Sequence, residues 1–140
     1  MTIDSRTHDL LIELALKTRQ NAYAPYSGFL VGAALITSDG KIFTGCNCEN
    51  ASFGVTNCAE RTAVFKAVSE GYRHIDAIAI TGGKLGGFID FAEPCGACRQ
   101  VLAEFADEKK DMEIIVAKSQ TEYVDYQLSE LLPHGFLLKK

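Results

Sequence analysis

The chain has 140 residues, 47% of them apolar and 23% charged, with a formal net charge of −4, a balance that suits one soluble globular domain over 1–140. No run of Lys or Arg offers the basic footprint that nucleic-acid binding requires, and the longest apolar stretch, Phe29 to Ile36, is too short to span a bilayer. The first residues lack the apolar region of a secretory signal, so the cytoplasm is the expected compartment.

Asp9 to Gln20 reads as an amphipathic helix, because Leu10, Leu11, Leu14 and Ala15 recur at helical spacing. Tyr23-Ala-Pro-Tyr-Ser-Gly28 ends it in a loop. Leu30 to Ile36 is β-rich, Ser38-Asp-Gly40 turns the chain, and Lys41 to Thr44 starts a return strand, which makes a hairpin. A polar loop, Asn47 to Asn57, leads into a helix from about Cys58 to Glu70, closed by Gly71. Ile75 to Thr81 suits a buried strand. The glycines of Gly82 to Gly87 lack the Lys-Ser/Thr of a phosphate loop, so that stretch reads as a flexible loop. A further helix is expected from Cys95 to about Asp107. Glu113 to Ala117 and Glu122 to Tyr126 read as strands whose connection is too short for a crossover helix, so they pair antiparallel. Leu128 to Leu132 is a short helix stopped by Pro133. The order β-β-α-β-α-β-β, with the N-terminal helix added, predicts an α/β fold of three layers around a five-stranded mixed sheet. The strand from Ile75 should lie parallel to the strand from Glu113, through a right-handed crossover.

Five cysteines are many for such a chain, and an odd number without a signal segment argues against a disulfide framework. Three of them form two motifs, Cys58-Ala-Glu60-Arg61 and Pro94-Cys95-Gly-Ala-Cys98, each at an expected helix start. Cys95 and Cys98 are three apart and share one side of a first helical turn. Helix N-termini carry unpaired N–H groups and partial positive charge, which favours the thiolates a metal needs. Three thiolates from two helix starts can close on one Zn²⁺ and leave a fourth position open for water, as catalytic zinc sites do. Glu60, two residues past Cys58, stands beside the metal without pointing along the ligand direction. A Cys-x-Glu followed by Pro-Cys-x-x-Cys is the arrangement of the zinc deaminases. Arg61 is placed to donate to the thiolates and offset the net −1 charge of a three-thiolate zinc site. The rival is a closed four-cysteine structural site in which Cys46 or Cys48 supplies the fourth thiolate.

These motifs resemble those of the small homotetrameric cytidine deaminases. The likeness runs from Tyr23-Ala-Pro-Tyr-Ser-Gly-Phe29 to Leu131-Leu-Pro-His-Gly-Phe136, through Gly45-Cys-Asn47-Cys-Glu49-Asn50-Ala51 and the two zinc motifs. It implies one Zn²⁺ per subunit held by Cys58, Cys95 and Cys98. Asn47 and Glu49 would bind the ribose 3′-hydroxyl, Phe29 would pack on the pyrimidine, and Ala59 would line the substrate site. Ala51, Phe53 and Phe136 would act across a subunit interface. Phe53 departs from the family, which often has Tyr there, so a hydroxyl contact is lost.

The implied activity is hydrolysis of cytidine and 2′-deoxycytidine to uridine and 2′-deoxyuridine with release of ammonia, as in pyrimidine salvage. Hydroxide on zinc attacks C4, and Glu60 moves protons, first as base and then as acid. A tRNA or DNA deaminase would need a basic surface. A nucleotide deaminase would need cations placed for a phosphate, and none cluster near Asn47 or Phe29. An aminonucleoside-antibiotic deaminase would share the zinc motifs without Asn-x-Glu-Asn, and a non-catalytic zinc-stabilised module remains the non-enzyme alternative.

Overall fold

The computed structural model describes residues 3–138. Helix α1 spans Ser5–Arg19, earlier than the apolar spacing alone indicates, because the Asp4 carboxylate caps it by accepting from the Thr7 amide at 2.8 Å. Lys17 and Arg19 lie in its last turn, where cations complement the exposed carbonyls. His8, Leu11, Ile12 and Ala15 form its buried stripe.

The strands are β1 (Phe29–Thr37), β2 (Ile42–Cys46), β3 (Ile75–Lys84), β4 (Ile89–Asp90), β5 (Glu113–Ala117) and β6 (Tyr123–Gln127). The sheet runs β2-β1-β3-β5-β6. Pairing is antiparallel except between β3 and β5, which are parallel as the intervening helix requires. The five expected strands form this continuous path. The added two-residue strand β4 arises because β3 runs three residues beyond Thr81. Gly82 and Gly83 pair with Val31 and Leu30 on one edge and with Asp90 and Ile89 on the other. Glycines are weak strand formers, but ladders on both sides hold these two.

Helices α2 (Ala59–Ser69) and α3 (Gly96–Glu104) cover one face, and α1 covers the other. Alternation along β3 serves both layers. Ile78 and Ile80 pack with Leu35, Val64, Leu102, Ile114 and Val116, whereas Ala77 and Ala79 face Leu11, Ile12 and Ala15 of α1. Each large side chain removed from water contributes about 1.5–3 kcal/mol. The short α4 (Leu128–Leu131) starts with a reciprocal capping box between Gln127 and Glu130. Among the described residues, no helix is long and apolar enough to cross a membrane.

Candidate active site

Cys58 and Cys95 are the N-cap residues of α2 and α3, both in extended backbone, and neither side chain caps its own helix. Cys98 is buried in the first turn of α3. The three sulfur atoms all lie within 4.8 Å of one another. Gly45 of β2 lets α2 approach closely enough for this. A Cβ there would lie 2.5 Å from the Ala59 carbonyl oxygen and 2.5 Å from the Ala63 nitrogen. Cys46, the last residue of β2, and Cys48, two residues beyond it, are not in the cluster. Burial pushes the Cys46 thiol up, away from the thiolate form. The closed four-cysteine alternative therefore finds no fourth sulfur among the described residues.

The cluster is electrostatically prepared. A hydrogen bond from the Cys98 thiol draws the Cys58 sulfur well below the usual thiol range, with Arg61 adding to the effect, while Cys98 itself is pushed up. One sulfur of this pair is thus a thiolate that accepts from the other. Arg61 Nη2 donates to Cys58 Sγ at 3.2 Å, and the sulfurs raise the guanidinium further, so it stays cationic.

Glu60, 5% exposed, lies in the first turn of α2. Burial pushes its carboxyl up to about 7, and the neighbouring Cys58 thiolate acts in the same direction. A cleft of about 190 Å³ brings Glu60 together with Cys58, Cys95, Phe29, Asn47 and Ala59. A larger hollow of about 550 Å³, lined by Arg73, Phe105 and Leu137, shares none of these residues and, among the described residues, has no cysteine in its lining.

The remaining site expectations separate in space. Asn47 is buried, and its side chain ties the loop after β2 to β1: Oδ1 accepts from the Val31 amide at 2.9 Å, and Nδ2 donates to the Phe29 carbonyl at 2.8 Å. One amide N–H and one oxygen lone pair are left for a ligand. Glu49 does not line the cleft. It clamps the preceding loop, accepting from the amides of Tyr26 at 3.0 Å and Ser27 at 3.1 Å and from the Ser27 hydroxyl. The Ser27 hydroxyl holds its carboxyl below the usual range. Ala51 is exposed, as are Phe53 (73%) and Phe136 (69%), and none of the three lines the cleft of a single chain. The backbone of Phe136 is fastened to α3 by both ends of the Gln100 amide, at 2.6 and 3.1 Å. Val31, Thr56, Asn57, Ala92 and Glu93 also line the cleft and were not among the sequence candidates. Asn57 and Glu93 flank the zinc motifs, which is a usable signal; Ala92 carries none.

The family model of the cytidine and deoxycytidylate deaminase zinc-binding region matches residues 5–114. The cytidine deaminase of Halalkalibacterium halodurans is 47% identical over 127 residues, covering 91% of this chain and 92% of that protein. The cytidine deaminase of Sporosarcina psychrophila is 46% identical over 126 residues, covering 90% and 88%. Among solved structures, cytidine deaminase from Burkholderia pseudomallei superposes with a TM-score of 0.81 at 48% identity, covering 92% of this chain and 98% of that one. With the thiol cluster, Glu60 and the cleft in their places, these likenesses show that the chain belongs to the cytidine deaminase family of zinc-binding enzymes, hydrolases that act on cyclic amidines.

Proposed function

We propose that this chain, as one domain in the cytoplasm, hydrolyses cytidine and 2′-deoxycytidine to uridine and 2′-deoxyuridine with release of ammonia. The observation that carries the reading is a single cleft that a buried carboxylate, Glu60, lines together with Cys58 and Cys95, whose sulfurs cluster with that of the buried Cys98. The donor set fits zinc, since three soft sulfurs, one already drawn toward thiolate, converge from two helix N-termini. Cys58, Cys95 and Cys98 would hold one ion per chain, which supplies Lewis acidity and brings the pKa of a water toward neutrality. The hydrogen bond from Arg61 to Cys58 offsets the excess negative charge of three thiolates. Five free cysteines suit a reducing compartment.

Glu60 moves the protons. Its carboxylate takes one proton from the attacking water as the C4–O bond forms, then delivers it to ring N3. It next takes the hydroxyl proton of the tetrahedral C4 adduct and gives it to the exocyclic amine as the C4–N bond breaks. Ammonia leaves, C4 becomes a carbonyl, and Glu60 ends ionised as it began. Phe29 offers an aromatic face for the pyrimidine, and the spare donor and acceptor of Asn47 suit the ribose 3′-hydroxyl. Glu49 reaches that hydroxyl only through the lone pairs its loop clamp leaves over, so its positioning of Tyr26 and Ser27 is its larger contribution.

Among the described residues, none that lines the cleft is Lys or Arg, which favours an uncharged nucleoside over a phosphorylated one. Ammonia release from a panel tests this: cytidine and deoxycytidine should turn over, while dCMP and adenosine should be poor. Equal turnover of dCMP would contradict the nucleoside assignment.

The same reading includes a homotetramer of D₂ symmetry whose sites borrow Ala51, Phe53 and Phe136 from neighbours. Phe53, Phe136, Leu137 and Leu138 are large apolar side chains left exposed by one chain, the usual mark of an interface. Mixing Glu60→Gln chains with Phe136→Ala chains, each poor alone, should restore part of the activity after subunit exchange. A scattering mass equal to the 15.2 kDa chain together with full activity would contradict the assembly.

A further inference from the structure

Gly82 takes no part in the chemistry, yet it stands behind three walls of the cleft. It is buried in β3, paired with Val31 of β1 on one edge and with Asp90 of β4 on the other. A methyl group on its Cα would lie 2.8 Å from the Ala92 Cβ, 3.0 Å from the Phe29 Cε2 and 3.3 Å from the Val31 Cγ2. Phe29, Val31 and Ala92 all line the cleft that contains Glu60. The strand itself has little freedom to retreat. Ladders hold both its edges, and Arg19 ties it to β1, with Nη2 donating to the Gly83 carbonyl at 2.8 Å and Nε to the Leu30 carbonyl at 2.9 Å. A side chain at position 82 is therefore accommodated by the walls, and the walls move toward the cleft.

We propose that Gly82, acting through Phe29 and Ala92, is a specificity-determining position that sets the width of the slot for the base and its tolerance of ring substituents. The inference rests on the proposed function, in which a cytosine ring packs on Phe29. The two contacts differ in kind. Phe29 can yield by turning its ring, whereas Ala92 has only a methyl and yields by shifting its backbone. Van der Waals contact closer than about 3.4 Å is repulsive in a close-packed interior, so even a single methyl is felt. The bare Cα at position 82 and the small side chain at position 92 together leave room that larger residues would fill.

The test is steady-state kinetics on cytidine and 5-methylcytidine, with zinc content measured for every variant. Gly82→Ala should keep its zinc, hold kcat for cytidine within about twofold and raise KM about tenfold, the scale of one methylene in a fitted pocket. Its kcat/KM for 5-methylcytidine should fall about tenfold further than for cytidine. Adding Ala92→Gly, which removes the 2.8 Å contact, should recover most of both losses. Loss of zinc, an unmoved KM and substrate ratio, or failure of the second substitution to rescue would overturn the proposal. If Gly82→Ala does not fold, Ala92→Gly alone decides: widening the slot should raise the 5-methylcytidine to cytidine ratio of kcat/KM, and an unchanged ratio overturns the proposal. Wild-type turnover of cytidine is measured first. Its absence removes the functional reading and this inference together, whereas normal wild-type turnover with unmoved ratios in the variants removes the inference alone.

Discussion

Replacing any one of Cys58, Cys95 and Cys98 by serine should abolish stoichiometric zinc binding and cytidine turnover together. Serine keeps the size of the side chain but offers a hydroxyl that resists deprotonation and a harder oxygen donor. Changes to groups that merely support a metal ligand cost about 10–100-fold, and loss of a ligand itself should exceed that. Cys46→Ala and Cys48→Ala should keep one zinc per chain, because neither sulfur is in the cluster. Elemental analysis of the five variants checks the assignment. Zinc lost from either of the last two would restore the closed four-cysteine site.

Glu60→Gln should lose about 10²-fold or more in turnover while keeping zinc and fold, the scale for removing a positioned general acid–base group. Glutamine fills the same space and can still hydrogen-bond, but it has no proton to exchange. With zinc removed from both proteins, the variant should also melt no lower than the wild type, and the sign follows from burial. The Glu60 carboxyl is raised in the folded protein, so the folded state binds more protons than the unfolded chain between roughly its ordinary value of 4.5 and about 7. Stability therefore falls as pH rises through that window, and the neutral amide removes this loss. A thermal midpoint well below the wild-type value above pH 7 would show that Glu60 is structural.

The sequence already contained the architecture because the strands are coded by β-branched and aliphatic runs and the topology by connection length. The segment between Ala117 and Tyr123 is too short to cross over, and β5 and β6 are antiparallel. The stretch between β3 and β5 holds a helix, and they are parallel. Boundaries decided by capping were less legible. Asp4 starts α1 before its apolar spacing begins, since the cap is a polar contact with Thr7 that hydrophobic periodicity does not register. Gly82 and Gly83 look like a break in any propensity scale, yet two neighbouring strands make them part of β3.

The site divides in the same way. Cys58, Glu60, Cys95 and Cys98 could be placed together from sequence, because helix starts and a spacing of three fix directions over short distances. Asn47 and Glu49 show what spacing does not reveal. Two residues apart in one motif, they face different tasks, the first bridging Val31 and Phe29 at the cleft wall and the second holding Tyr26 and Ser27 outside it. Ala92 lines the cleft with nothing in its chemistry to announce it, since only the packing of β4 and β3 puts a methyl there. The tasks proposed for Ala51, Phe53 and Phe136 belong to an assembly, and a single chain leaves all three exposed.

The most direct test of the whole account is a paired assay of wild type and Glu60→Gln on cytidine at equal, measured zinc content, following uridine and ammonia together. The account predicts one ammonia per uridine from the wild type and a rate lower by about 10²-fold or more from the variant. Equal rates from the two proteins, or no ammonia from the zinc-replete wild type, would contradict it.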